Sequence, residues 1–322
     1  MSLDRCETDV AGRREFLSRL SLAVTGSAFA LQETSRAKET PPPPAGSPAP
    51  LLPTIRLGEH PVTRLVAGSN PISGYSYMGP IMDRHMREYY TVERTVEFLQ
   101  RCERAGITAQ QFSVSDKMTE VLRRLREGGS RMRFICLSSD SAQVKATVAT
   151  YRPAAMAHHG GATDKLFAAG KSEEVHAFVK AAHDQGVLAG VSAHNPDCIK
   201  RIADAGWKVD FFMTCFYFLT RKAFPKAGGQ PGPLTLQIAY PFYTGDPLAM
   251  TKVVRQVTQP CLGFKILGAG RLCSNQQAVK KAFQVAFEHI KPIDGVIVGM
   301  YPRFFDEIRA NAQYTRQFGQ PR

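Results

Sequence analysis

Three histidines stand where a short apolar run gives way to a polar loop: His158 and His159 after PAAMA, and His194 after VLAGVSA. An imidazole titrates near neutrality, so a histidine at such a junction can serve as a general acid or base, or ligate a divalent metal. Alternation along a strand sends one of the adjacent pair His158-His159 inward and the other toward the covering layer. Further proton carriers are Lys117, in SDKMTEV, and Tyr75 and Tyr77, in the segment SGYSYMGPIMDRHMREYY (73–90) that also holds Asp83 and His85. A second group combines cations with glycine. FKILGAGRL carries Lys265, Gly268, Gly270 and Arg271, and GVIVGMYPRFF carries Gly299 and Arg303. Glycines permit a tight turn that brings backbone N–H groups close to a phosphate, and the cations can pair with its oxygens. A helix starting near Arg303 would add a partial positive charge.

Something must hold these residues at one place, and the chain supplies a repeated unit. Eight short β-rich runs alternate with helical patterns: 62–68, 107–113, 132–138, 153–159, 187–193, 208–215, 261–268 and 295–299. Helical spacing and closing glycines mark the segments between, such as TVERTVEFLQRCERAG and EEVHAFVKAAHDQG. That order predicts a (β/α)8 TIM barrel, an α/β fold, with a short N-terminal β-hairpin. A doubly wound open sheet would want a Gly-rich turn after its first strand, and none is present. In a barrel the chemistry gathers where strands end. There the sequence places Ser69-Asn70, Ser113 and Ser115, Ser138 to Asp140, His158-His159, Ser192 and His194, Cys215 to Tyr217, Gly268 to Arg271, and Gly299 to Arg303.

The 322 residues are 43% hydrophobic and 21% charged, which excludes a disulfide miniprotein, a coiled coil and a fully disordered chain. A net charge of +13 favours anionic partners, yet no run of five basic residues occurs and no basic-aromatic repeat. The expected partner is a small-molecule substrate and not nucleic acid, with the oligomeric state left open. No apolar run approaches the roughly 20 residues of a membrane span. Residues 1–30 contain Arg13-Arg14, a modest apolar stretch and Ala28-Phe29-Ala30, and resemble a twin-arginine export signal, which implies a periplasmic or otherwise extracytoplasmic protein. Residues 31–53 read as a linker, with seven prolines in PPPPAGSPAPLLP, and the barrel is expected over 54–322. The cysteines after Cys6 (102, 136, 198, 215, 261 and 273) lack C-x-x-C spacing and read mostly as core residues.

PTIRLGEHPVTRLVAGSNP, DQGVLAGVSAHNP, FKILGAGRL and GVIVGMYPRFFDEIRAN, in that order and spacing, resemble aldo/keto reductases over roughly residues 54–315. The resemblance implies NADP or NAD as cofactor, held by the phosphate-binding set above with Asn311 at the adenine-contacting position. It also implies an Asp and a Tyr after strand two, a Lys ending strand three and a His ending strand four. Here Ser113 replaces the Asp, Lys117 or Met118 falls near the Tyr, Ser138 replaces the Lys, and His158 alone matches.

Two enzymatic readings follow. In the first, a nicotinamide-linked oxidoreductase acts on a small carbonyl or polyhydroxy substrate, its acid drawn from Lys117, His158, His194, Tyr75 or Tyr77. In the second, His158, His159 and His194 hold a divalent metal, with Asp83 or His85, for isomerisation, elimination or hydrolysis. A non-catalytic binding protein is the third reading. The loop 218–244, with Tyr240, Phe242 and Tyr243, would either stack on a ligand or pin itself to the barrel.

Overall fold

The computed structural model describes residues 51–221 and 240–321. The segment expected to be an export signal, most of the expected linker and residues 222–239 of the 218–244 loop lie outside the described residues.

The chain opens with the expected hairpin. β1 (Thr54–Leu57) pairs antiparallel with β2 (His60–Thr63), and Gly58, at φ +55°, makes the two-residue turn. Eight parallel strands follow: β3 (Leu65–Gly68), β4 (Ala109–Ser113), β5 (Arg133–Ser138), β6 (Ala155–His158), β7 (Leu188–Ala193), β8 (Phe211–Cys215), β9 (Cys261–Phe264) and β10 (Gly295–Gly299). They close into a barrel in chain order, with β10 paired to both β3 and β9. Helices α1 (Pro80–Tyr89), α2 (Val92–Arg104), α3 (Asp116–Glu127), α4 (Val144–Tyr151), α5 (Gly160–Ala168), α6 (Ser172–Asp184), α7 (Pro196–Asp204), α8 (Asp246–Gln256), α9 (Gln276–His289) and α10 (Glu307–Phe318) fill the connections. Several start on a side chain that accepts a bond from their first turn: Thr91, Ser115, Asn195, Asn275 and Asp306.

The strands are nearly continuous apolar runs because both faces are covered. Val66, Ala109, Ile135, Ala155, Ala157, Phe211, Met213, Leu262 and Ile297 form one buried cluster, joined by Ile55, Leu57 and Val62 of the hairpin. The hairpin therefore plugs the floor of the barrel. The alternate residues, among them Leu65, Phe112, Cys136, Met156, Val191, Phe212 and Val298, belong to the layer shared with the helices.

Arg64 locks the ring where β10 meets β3. It is 2% exposed, and its guanidinium donates to the carbonyls of Asp294 (2.6 Å), Gly319 (2.7 Å) and Lys291 (2.9 Å) while lying over the Phe287 ring.

Two differences from the expected boundaries bear on the site. The seventh barrel strand stops at Phe264, because Lys265 turns to φ +60° and starts a tight turn. The last helix begins at Glu307, capped by Asp306, so Arg303 lies in the preceding loop and gains nothing from a helix terminus.

Candidate active site

Strand alternation separates His158 from His159. Ala155 and Ala157 face the barrel interior, so His158 faces the helices, fully buried, with Nδ1 2.7 Å from the Thr163 hydroxyl and its ring edge-on to Phe178 at 5.2 Å. Burial, then the His159 charge, holds its pKa down to about 4. His158 is a core residue, and the position matched by the resemblance carries no group into the mouth. His159 does face the mouth, as the residue leading into α5. The enclosing walls, then the charges of His194 and Lys265, lower its pKa.

His194 follows β7 into the mouth at 8% exposure. Its Nδ1 lies 3.0 Å from Asp164 Oδ2 on α5, and its ring meets Phe264 edge-on at 5.6 Å. Asp164 also accepts from the backbone amides of His194 and Asn195, and from the Thr220 hydroxyl at 2.9 Å. Burial raises the Asp164 pKa, but the hydrogen bonds and charge of His194 and the other donors outweigh it, and the carboxyl stays below its usual range. An ionised carboxylate can only accept, so His194 carries its proton on Nδ1 and its lone pair on Nε2. Burial lowers the His194 pKa against the pull of Asp164, keeping the ring neutral and able to accept a proton.

Close approach is built in. A Cβ on Gly160 would stand 2.9 Å from Ser192 Oγ and 3.2 Å from the His194 ring. Sequence reasoning missed Asp164, although a signal existed. Gly160, Thr163, Asp164 and Phe167 recur at helical spacing and are all buried, so the acid sits on the packed face of its helix.

Lys265 completes the group. Its ammonium lies over the rings of Phe264 at 4.6 Å and Tyr77 at 4.8 Å, and no carboxylate among the described residues pairs with it. Desolvation lowers its pKa, opposed by Cys215 and Tyr240. Its charge acts on both His159 and His194. Aromatic rings wall this region. Tyr75 and Tyr77 meet edge-on at 4.7 Å, Tyr240 lies 5.7 Å and Phe242 6.2 Å from Tyr77, and Tyr217 lies 5.0 Å from Phe242. Burial raises the Tyr75 and Tyr77 pKa values well above the ordinary phenol, which keeps both protonated.

Other candidates have structural work. Lys117 donates to the carbonyls of Ile72 and Tyr90 (3.1 Å to the latter), pinning both ends of the loop over the mouth. Asp83 accepts from the Ser76 amide at 2.8 Å and the Ser76 hydroxyl within that same loop, and His85 is exposed on α1. The trio His158, His159 and His194 is not assembled. Among the described residues, no group of three or more His, Cys, Asp or Glu side chains is placed to share a metal.

The phosphate-binding set is likewise dispersed. In the turn after Lys265, the amides of Gly268, Gly270, Arg271 and Leu272 all donate to carbonyls of the turn itself. Arg271 lies over Phe242 at 3.8 Å and donates to the Gly268 carbonyl. Arg303 stands by Tyr89 and Phe304, a different aromatic group. Asn311 is 3% exposed in α10, and at Gly299 a Cβ would meet Pro71 at 2.7 Å, so that glycine serves a close chain approach. As arranged, these residues do not fit a dinucleotide phosphate.

No protein-family model matches the sequence, and no curated protein matches it. Among solved structures, one assigned as 2,5-diketo-D-gluconic acid reductase B, an aldo/keto reductase-like TIM barrel, is 11% identical over 84% of this chain and 87% of its own, with a TM-score of 0.47. A truncated 3-deoxy-D-arabino-heptulosonate 7-phosphate synthase from Thermotoga maritima is 13% identical over 83% and 91%, with a TM-score of 0.43. The Xanthomonas albilineans dihydropteroate synthase is 11% identical over 81% and 95%, with a TM-score of 0.47. These likenesses bear on no residue of the mouth.

Proposed function

We propose that the chain is an enzyme that moves a proton at the carbon beside a carbonyl of a small carbonyl or polyhydroxy substrate, as in an isomerisation or an elimination. One observation carries the reading: a buried, carboxylate-oriented His194 shares the mouth with an ammonium, Lys265, that has no acidic partner among the described residues. His194 Nε2 takes the proton from carbon. Asp164 fixes the ring and stabilises the imidazolium that forms. Lys265 faces the negative charge that develops on the substrate oxygen, beside aromatic walls that lower the local dielectric and strengthen the interaction. His159, also in the mouth, is available to return a proton at the neighbouring oxygen or carbon. Since its donor set does not fit, a nicotinamide cofactor has no part in this scheme.

The test is exchange of carbon-bound hydrogen in deuterated buffer, followed by proton NMR with dihydroxyacetone, pyruvate and D-fructose as probes. Wild-type protein should exchange at least one probe. His194→Asn and Lys265→Met should each slow exchange by about 10²–10⁴-fold while circular dichroism stays unchanged. Exchange that survives His194→Asn would overturn the assignment, and so would its absence from all three probes. Micromolar NADPH binding weakened by Arg303→Ala would replace this reading with hydride transfer.

A further inference from the structure

We propose that the floor of the barrel, opposite the mouth, holds a separate binding site for a compact oxyanion carrying two or more phosphate groups. A cavity of about 430 Å³ opens there between the hairpin and the loops that lead into β5, β6 and β7. That size lies within the range of small-molecule pockets. Arg126, Arg131, Arg133, Arg152 and His60 line it, against a single acid, Glu59.

Three observations show that these cations are unmatched. None of the four guanidinium groups has a carboxylate within ion-pair distance among the described residues, whereas Arg84, Arg123 and Arg124 elsewhere on the surface pair with Glu88, Glu120, Glu127 and Glu93. Arg126 donates to the Tyr151 carbonyl at the end of α4, and among the described residues the side chains of Arg131, Arg133 and Arg152 make no hydrogen bond. Arg126 and Arg152 are also close enough that the Arg152 charge, after burial, depresses the Arg126 pKa. Four guanidinium groups gathered in a recess with one carboxylate, and in ion-pair contact with none, raise the free energy of the protein alone, and an anion relieves it.

Arg152 supplies an independent sign. It caps α4 in the left-handed conformation, φ 41° and ψ 55°, where glycine or asparagine is the easy choice. The turn gains nothing from an arginine, but the cavity gains a charge. Planar guanidinium groups that converge from separate loops match phosphate oxygens in paired hydrogen bonds.

The experiment is calorimetric titration of the full chain with inorganic tripolyphosphate at physiological salt. One saturable site is expected. Arg133→Gln and Arg152→Gly should each weaken it by about tenfold or more, while Arg84→Gln, a distant surface arginine, leaves it unchanged. Because glycine accepts the left-handed turn, Arg152→Gly should unfold at an equal or higher temperature, which separates a binding role from a structural one. Vesicles containing phosphatidylinositol bisphosphate distinguish a headgroup from a free ligand. Vesicle binding competed by tripolyphosphate supports the site with a lipid source, and tripolyphosphate binding alone supports a soluble one. Absent binding, several equivalent sites, or equal weakening by Arg84→Gln would overturn the proposal. Preferential uptake of a 20-nucleotide single strand not displaced by tripolyphosphate would overturn it as well.

Discussion

Replacing His158 by Asn removes a titratable ring from the layer between barrel and helices and leaves the Thr163 hydroxyl an amide to bond. In the wild type, burial followed by the His159 charge holds the His158 pKa at about 4, against an ordinary 6.5. Well above pH 6.5 the ring is neutral in the folded and unfolded chains alike, and it adds no pH dependence. As the pH falls through that value, the unfolded chain takes up a proton that the folded one refuses, so stability is lost until about pH 4. The difference from 6.5 to about 4, at 1.36 kcal/mol per unit, gives about 3 kcal/mol at its limit. Between pH 7 and pH 5 the same two values give about 2 kcal/mol. Urea unfolding of wild type and variant at both pH values isolates this quantity, since the packing cost of the substitution applies equally at each pH and cancels. Wild type should lose about 2 kcal/mol more than the variant between pH 7 and pH 5. Equal losses, or a His158 ring that titrates near 6.5 by NMR, would refute the burial argument and return this residue to the mouth.

Gly160→Ala places a Cβ 2.9 Å from Ser192 Oγ and 3.2 Å from the His194 ring, and it should cost about 1–3 kcal/mol by thermal unfolding. Because the ring must leave Asp164, deuterium exchange should fall further than stability does. Gly161→Ala, which meets only the flexible His159 ring at 3.3 Å, should change both little. Arg64→Leu strands the carbonyls of Asp294, Gly319 and Lys291 at the ring closure, and should lower stability by about 3–5 kcal/mol in denaturant titration. A loss under about 1 kcal/mol would mean that water replaces the guanidinium.

The barrel was legible because its strands, buried on both faces, stand out as apolar runs between helical patterns. The hairpin is present and each of the eight strands lies within its expected run, most of them shorter than it. Which side chain enters the mouth was not legible to the same degree. A shift of one residue reverses every strand position, and that decides between His158 and His159. Helix starts were misplaced where a loop precedes the cap, as at Arg303, four residues before Glu307. Asp164 and Arg64 were missed for a shared reason. Both are charged residues whose partners, His194 and the carbonyls near the C-terminus, come together only when the ring closes.

Closure also bears on the role we propose for Lys265 in the mouth. A neutral amine would suit attack on a carbonyl, and desolvation pushes the group that way. Two aromatic faces at 4.6 Å and 4.8 Å favour the charged form instead, and Asp164 cannot discharge it, being fully engaged by His194, Asn195 and Thr220. The Lys265 ammonium, seated on those faces, is then the positive charge offered to a substrate whose oxygen gains negative charge after His194 removes a proton. On that argument Lys265→Arg should retain part of the exchange activity and Lys265→Met almost none, measured with the probe that wild type exchanges fastest. Equal activity in the two variants would show that charge at this position is not what the reaction uses.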